Sequence, residues 1–161
     1  IDTLAAEPFD GFAIGGSLGK DRDELIDLLS FVMPRVNETG KPNHVLGIGD
    51  LESVSRFISL GVDTFDSAYP TRVARHGHWF VNHADGTTGI ASLRQEKYAR
   101  MFDKVDPSCN CYVCRNYTAS YLHHLFKMHE PAFVTLSAIH NLHFMYEMTK
   151  NIRQKILNDE I

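Results

Sequence analysis

Three cysteines within six residues, Cys109, Cys111 and Cys114, form a C-x-C-x2-C run. Thiolates this close repel one another unless they share a cation or stay protonated. An odd, clustered set in a chain without a secretion pattern suits a metal better than a disulfide framework. A tetrahedral zinc needs one more ligand. His140, 26 residues past Cys114, is one candidate, with His123, His124, His129 and His143 as alternatives. Three thiolates and an imidazole would leave no open position, so the zinc would be structural rather than catalytic.

A second chemical signal is the segment Gly61 to Arg75, GVDTFDSAYPTRVAR. Asp66 follows Phe65 at the C-terminal end of a predicted parallel strand, where α/β barrels keep catalytic groups. A carboxylate there can attack an anomeric carbon and hold the sugar as a covalent ester, as in retaining glycosidases. The plainer role for such a residue is a helix cap or a turn. Arg72 and Arg75, just beyond, suit phosphates, or else a solvated basic face. A third segment, GGSLGKD from Gly15 to Asp21, lacks the Gly-Lys-Ser/Thr ending and the dinucleotide-binding glycine spacing. A loop whose peptide groups face a planar ligand is as good a reading as a phosphate loop.

The elements that must position these residues follow from periodicity. Phe9 to Ile14 reads as a buried strand running into Gly15 and Gly16. Asp21 and Glu24 form a capping pair for a helix carrying Leu25, Leu28, Leu29, Val32 and Met33, which Pro34 is expected to end. The pattern repeats: a strand over His44 to Ile48, Asp50 capping a helix with Leu51, Val54, Phe57 and Ile58, a stop at Gly61, then a strand over Val62 to Phe65. Strand, helix, strand, helix, strand with short connections implies right-handed parallel units and points to a segment of an α/β barrel. After Pro70 the rhythm changes. Gly77 to Val81 and Thr87 to Ala91, joined by a turn through Asp85 and Gly86, read as a two-stranded excursion. A helix over Tyr117 to Met128 is expected to present Tyr121, Leu122, Leu125 and Phe126 on one face, and a last helix runs from about Thr135 to Leu157. The reading groups residues 1–76 as βα units and 77–161 as the β excursion, a zinc-binding subdomain and closing helices, with no linker between independent domains.

Composition bounds the rest. With 161 residues, 43% apolar and 22% charged, the chain has globular composition rather than that of a disordered tail. Its apolar runs fall far short of the roughly 20 residues needed to cross a bilayer, so no membrane segment is expected. The first residue is Ile1, followed by Asp2 and Glu7. This is no signal-peptide pattern, and the chain is expected to begin inside a longer cytoplasmic protein. The net charge of −4 hides an asymmetry: residues 1–70 hold 5 Lys and Arg against 12 Asp and Glu, whereas residues 71–130 hold 8 against 5. The basic excess runs through Arg72, Arg75, Arg94, Lys97, Arg100, Lys104 and Arg115, where a nucleic-acid backbone could be met.

Together the segments FAIGG, HVLGIG, GVDTFDSAYPTRVARHGHWF, CNCYVCRNYTASYLHHL and IHNLHF resemble the tRNA-guanine transglycosylases, over essentially Phe9 to Leu157. These enzymes exchange guanine at the anticodon wobble position of GUN-type tRNAs for a 7-deazaguanine. The resemblance implies the C-terminal part of a TIM (β/α)8 barrel with an appended zinc-binding subdomain. It makes Asp66 the nucleophile and Cys109, Cys111, Cys114 and His140 the ligands of one structural zinc. It also matches Gly16, Ser17, Leu46 and Gly47 to positions that read the base, and sets Arg72 and Arg75 against the anticodon-loop backbone. A homodimer through the zinc region is implied as well. A second catalytic Asp and a Ser-Gly-Gly-Phe-Gln segment are expected upstream of this chain, which alone is expected to be inactive.

The sequence departs from the family pattern at GGSLGKD, where bacterial relatives commonly carry GGLAVGE. Gly19 in place of Val is expected to leave room beside the seven-position substituent, favouring queuine, with the smaller aminomethyl precursor as the other candidate. A non-catalytic partner subunit or zinc-stapled tRNA-binding module is the rival reading. Retention of Phe65-Asp66 followed by Pro70-Thr71-Arg72 argues against it.

Overall fold

The structure is a computed structural model describing residues 2–16 and 19–161. Its elements are α1 (Asp2–Ala5), β1 (Phe12–Ile14), α2 (Arg22–Asn37), β2 (Asn43–Val45), α3 (Leu51–Ile58), β3 (Thr64–Phe65), α4 (Tyr69–Arg75), β4 (His78–Asn82), β5 (Thr88–Ser92), a 3-10 turn (Glu96–Arg100), α5 (Tyr112–Asn116), α6 (Ala119–Lys127) and α7 (Pro131–Leu157). The chain divides into two compact units, Ile1–Ala68 and Tyr69–Ile161. The helix bearing Arg72 and Arg75 thus belongs to the second unit.

In the first unit β1, β2 and β3 pair in parallel in that order, with Ala13, His44 and Thr64 in one register row and Ile14, Val45 and Phe65 in the next. The expected parallel βα rhythm is present, with strands shorter than their apolar runs. Asp21 caps α2 by accepting from Glu24 N at 3.0 Å, and Asp50 caps α3 by accepting from Ser53 N at 3.0 Å. Leu25, Leu29, Met33 and Val36 of α2 pack with Phe57 of α3, Val45 and Val62. Successive strand residues face opposite ways, so Val45 enters this core while Ala13, His44, Thr64 and Asp66 share the other face, partly or fully exposed.

Pro34 does not end α2, which continues to Asn37. Proline removes one backbone hydrogen bond and crowds the carbonyl four residues back, here at exposed Ser30, while one further turn buries Val36. Pro70 lies where the rhythm changes, at the start of the second unit. It is the second residue of α4, where no helical N–H is required. For the same reason α7 begins at Pro131, four residues before the expected start.

The second unit is built on the hairpin β4–β5 and the 27-residue α7. The backbone bonds Leu93 N to Gly77 O and His83 N to Thr87 O, both 2.8 Å, fix the alternation of this antiparallel pair. Residues 77, 79, 81 and 83 therefore bond across to β5, while the N–H and C=O groups of His78, Phe80 and Asn82 point to the other edge. Helix α6 is capped by Thr118, and its buried residues are Ala119, Leu122, His123 and Leu125, while Tyr121, expected on the buried face, is exposed. His123 Nδ1 bonds the Leu93 carbonyl at 2.7 Å, which lets a polar ring occupy an apolar face.

Candidate functional site

The C-terminal ends of the three parallel strands carry the first constellation. Leu46 N donates to Ile14 O at 2.8 Å, and a Cβ at Gly15 would lie 2.4 Å from Leu46 Cδ1. A side chain at Gly15 would therefore have to displace that of Leu46. Asp66 stands just past β3. Its Oδ1 meets His44 Nε2 at 3.0 Å and accepts from Gly47 N at 3.2 Å, and Ser67 Oγ donates to Gly47 O at 3.4 Å. The His44 bond first, then the Gly47 amide, holds the Asp66 carboxyl below the usual carboxylate range. Asp66 is therefore an ionised, exposed carboxylate steered by two donors. These two donors lie on β2 and in the loop after it. Gly16 and Gly47 have φ of +95° and +77° with open space around their Cα atoms, so the candidate base-reading positions Gly16, Leu46 and Gly47 fall at the same strand ends as Asp66. Ser17 lies outside the described residues.

Gly19 has φ +103°, and a Cβ there would lie 2.7 Å from Glu24 Cβ and 3.0 Å from Leu25 N. A glycine is required here by the backbone and by the first turn of α2, a reason independent of any bound base.

The second constellation lies in the second unit. Cys109 and Cys111 precede α5, Cys114 lies within it and His140 is on α7. All four are buried, and their ligating atoms lie within 4.8 Å of one another. His140 Nδ1 is 3.7, 3.5 and 3.3 Å from the sulfurs of Cys109, Cys111 and Cys114. A tetrahedral zinc with its usual Zn–S and Zn–N bonds would set S···N at about 3.6 Å. The donor set fits. His140 Nε2 donates to Phe80 O at 2.8 Å, and Trp79 stacks on the ring at 4.1 Å between centroids. This outer contact aims the Nδ1 lone pair at the sulfurs. Backbone amides support the loop: Cys111 N donates to Cys109 Sγ at 3.5 Å and Cys114 N to Cys111 Sγ at 3.3 Å.

Three sulfurs so close share protons unevenly. Hydrogen bonds from Cys109 and Cys114 take Cys111 well below the thiol range, while those with Cys109 and Cys111, reinforced by burial, push Cys114 up. Burial acts downward on His140, but its bonds with Cys109, Cys111 and the Phe80 carbonyl prevail and raise it to about 9. A divalent cation would resolve this crowding by binding the thiolates directly. None of the rival histidines joins the cluster.

Sequence reasoning missed the groups that complete the outer edge of β4. Asn141 Oδ1 accepts from Phe80 N at 3.1 Å, and its Nδ2 donates to His78 O at 3.1 Å and to Pro70 O at 3.0 Å. His140 takes Phe80 O, and Asp106 Oδ2 accepts from Asn82 N at 3.0 Å. Side chains thus stand where a neighbouring strand would. Asp106 is fully buried. Burial acts upward on it, but bonds from Ser108 and Asn82 outweigh this and keep it below the carboxylate range. Arg72 and Arg75 are exposed on α4, one turn apart, with Arg72 over the Tyr69 ring at 5.6 Å.

Parallel βα units with a carboxylate at the strand ends, joined in one chain to a buried Cys3His cluster, define a mixed α/β protein with a site that could hold a metal ion. The family model for queuine tRNA-ribosyltransferase matches residues 1–161, and the chain belongs to that family. Curated relatives agree. The queuine tRNA-ribosyltransferase of Protochlamydia amoebophila is 45% identical over 158 residues, covering 98% of this chain and 39% of that protein. Those of Chlamydia caviae and Chlamydia felis are each 46% identical over 155 residues, 96% of this chain and 40% of theirs. The chain spans about two fifths of the length of these relatives. Among the described residues no helix is long and apolar enough to cross a membrane.

Proposed function

We propose that this chain is the nucleophile-bearing sector of a TIM-barrel enzyme that exchanges guanine in the anticodon of tRNA for queuine or a 7-deazaguanine precursor. The observation carrying this reading is Asp66, an ionised carboxylate held by His44 and Gly47 at the strand ends, beside the Gly15–Gly16 and Leu46–Gly47 loops. The barrel reading is supported by helices covering one face of the parallel sheet, while the face bearing His44, Thr64 and Asp66 is free of that core.

In this reading the target base leaves the anticodon stack, at a lower cost than from a duplex, and enters against the backbone of Gly16, Leu46 and Gly47. An oxygen of Asp66 forms a bond to ribose C1′ while the C1′–N9 bond breaks, and guanine departs with that electron pair and takes up a proton. The incoming base gives up its N9 proton and attacks C1′ from the vacated face. The ester bond breaks and the Asp66 carboxylate is restored, with net retention. Protons gained and lost balance over the cycle. Arg72 and Arg75 bind anticodon-loop phosphates. Cys109, Cys111, Cys114 and His140 would hold a zinc whose contribution is to staple α5 and its loop to α7, with no chemical step. The exposed rings of Tyr112 and Tyr121, the first edge-on to half-buried Tyr117 and the second stacked on it beside the cysteine loop, support a homodimer through the zinc region. The 161 residues alone would be inactive, because much of the base pocket and a second carboxylate belong to the rest of the enzyme.

The test is a denaturation-resistant complex between the full-length enzyme and its tRNA. It is expected with the wild type and absent with Asp66→Ala. Persistence of the complex in the variant would transfer the nucleophile's role to another residue.

A further inference from the structure

His44 is the remaining titratable side chain on the strand face that carries Asp66, and it is bonded at both ring nitrogens. Nε2 meets Asp66 Oδ1 at 3.0 Å, and Nδ1 meets Thr64 Oγ1 at 2.8 Å. The Thr64 hydroxyl also lies 3.2 Å from Asn43 O. An ionised carboxylate only accepts, so the proton between His44 and Asp66 belongs to Nε2, while Nδ1 is braced by the Thr64 hydroxyl. In the register row β1 presents Ala13 to this ring, which carries no charge, and β3 presents Thr64 and then Asp66. Asp63, at the start of β3, is turned to Asn43, from whose backbone N it accepts at 2.8 Å. Asp66 is therefore the charged group that His44 faces.

Both donors, His44 Nε2 and the Gly47 amide, end on the same oxygen, Oδ1. Oδ2 takes part in neither bond. We propose that His44 is a positioning residue which, held by Thr64, ties down Oδ1 of Asp66 so that Oδ2 is the oxygen presented to the ribose carbon. The inference rests on the nucleophilic role of Asp66 and adds which atom attacks and what aims it. The new bond forms at Oδ2. Oδ1 becomes the ester carbonyl and still accepts from both donors, so the carboxyl plane does not turn between the two half-reactions. In the second half-reaction the same donors stabilise the carboxylate as it leaves. The side chains of His44 and Asp66 are 32% and 60% exposed, so their pairing adds little to folding stability and its use lies in geometry.

The experiment measures single-turnover formation of the tRNA adduct by the full-length enzyme across pH, for wild type, His44→Leu, His44→Gln and Thr64→Val. A misaimed nucleophile loses on the order of 100-fold in rate, and this is expected for His44→Leu with tRNA affinity retained. Removing the His44 bond, which holds the carboxyl low, raises it, so the acid limb of the profile moves to higher pH. His44→Gln, whose amide donates from nearly the position of Nε2, is expected to restore both rate and limb. Thr64→Val, at an exposed site, is expected to slow the adduct without weakening the fold. An unmoved acid limb in His44→Leu, or equal losses in the Leu and Gln variants, overturns the positioning role. Failure of the underlying reading is distinguishable, because Asp66→Ala would then still form the adduct.

Discussion

Asn141→Leu tests the account of the second unit directly. Asn141 is fully buried and serves three backbone groups at once, the Phe80 N–H and the carbonyls of His78 and Pro70. Leucine has a similar size but no polar atom, so all three groups lose their partner. Each buried polar group left unsatisfied costs about 1–3 kcal/mol, giving roughly 3 kcal/mol at the low end. At a urea dependence of about 1–3 kcal/mol per molar, the unfolding midpoint should fall by roughly 1–3 M. Trp79 is the sole tryptophan of the chain, and its indole donates to Ser137 Oγ at 2.9 Å while stacking on His140, so its fluorescence reports on this edge. Free zinc is fixed in the titration, since a ligand of the folded state shifts the midpoint by mass action. Asn151→Leu, at an exposed position on the same helix, is the control and should move stability by less than about 0.5 kcal/mol. Equal midpoints for the Asn141 variant and the control would refute the claim that side chains complete the β4 edge.

Elemental analysis should find one zinc per chain. Affinity should fall as pH falls, because thiols and imidazole must lose protons to bind, and a pH-independent affinity would count against a thiolate site. Alanine at Arg72 or Arg75 should weaken tRNA binding and make the slope of log K against log salt shallower by about 0.7 for each phosphate of a single-stranded loop that the arginine no longer neutralises; an unchanged slope would remove that arginine from the phosphate set. Gly19→Ala should already destabilise the first unit, since its φ is positive and Glu24 crowds the new Cβ. A variant as stable as wild type would mean that the glycine is kept for space in the pocket instead.

The sequence was most legible where a local rule governs. Asp21 and Asp50 cap their helices because an acceptor before an apolar stripe has a donor within three residues. The cysteine spacing points to a metal because three thiols in six residues have few other stable states, and the structure gathers them into a cluster that could hold one. Family resemblance, rather than spacing, singled out His140 among the histidines, and the structure brings it to the sulfurs. Long-range pairing was not legible. Asn141 and Asp106 look like ordinary polar residues until β4 turns its unpaired groups toward them across 61 and 24 residues of chain. The expected stop at Pro34 fails because the effect of a proline depends on place: a buried Val36 one turn on outweighs one lost bond.

The contact between His140 and Phe80 also fixes when the Cys3His cluster can be completed. The cysteine loop has emerged by residue 114, but its fourth ligand is 26 residues further on, and the carbonyl orienting that ligand was made 60 residues before it. Before α7 is made, the three thiols lack His140, and the outer edge of β4 has only Asp106, at Asn82 N, as a partner. The same helix then brings His140 to the sulfurs and His140 and Asn141 to the rest of the edge. Completion of the Cys3His cluster and closure of most of the hairpin edge thus both wait for α7 in the nascent chain. Until then the segment is exposed to thiol oxidation and to pairing with foreign strands.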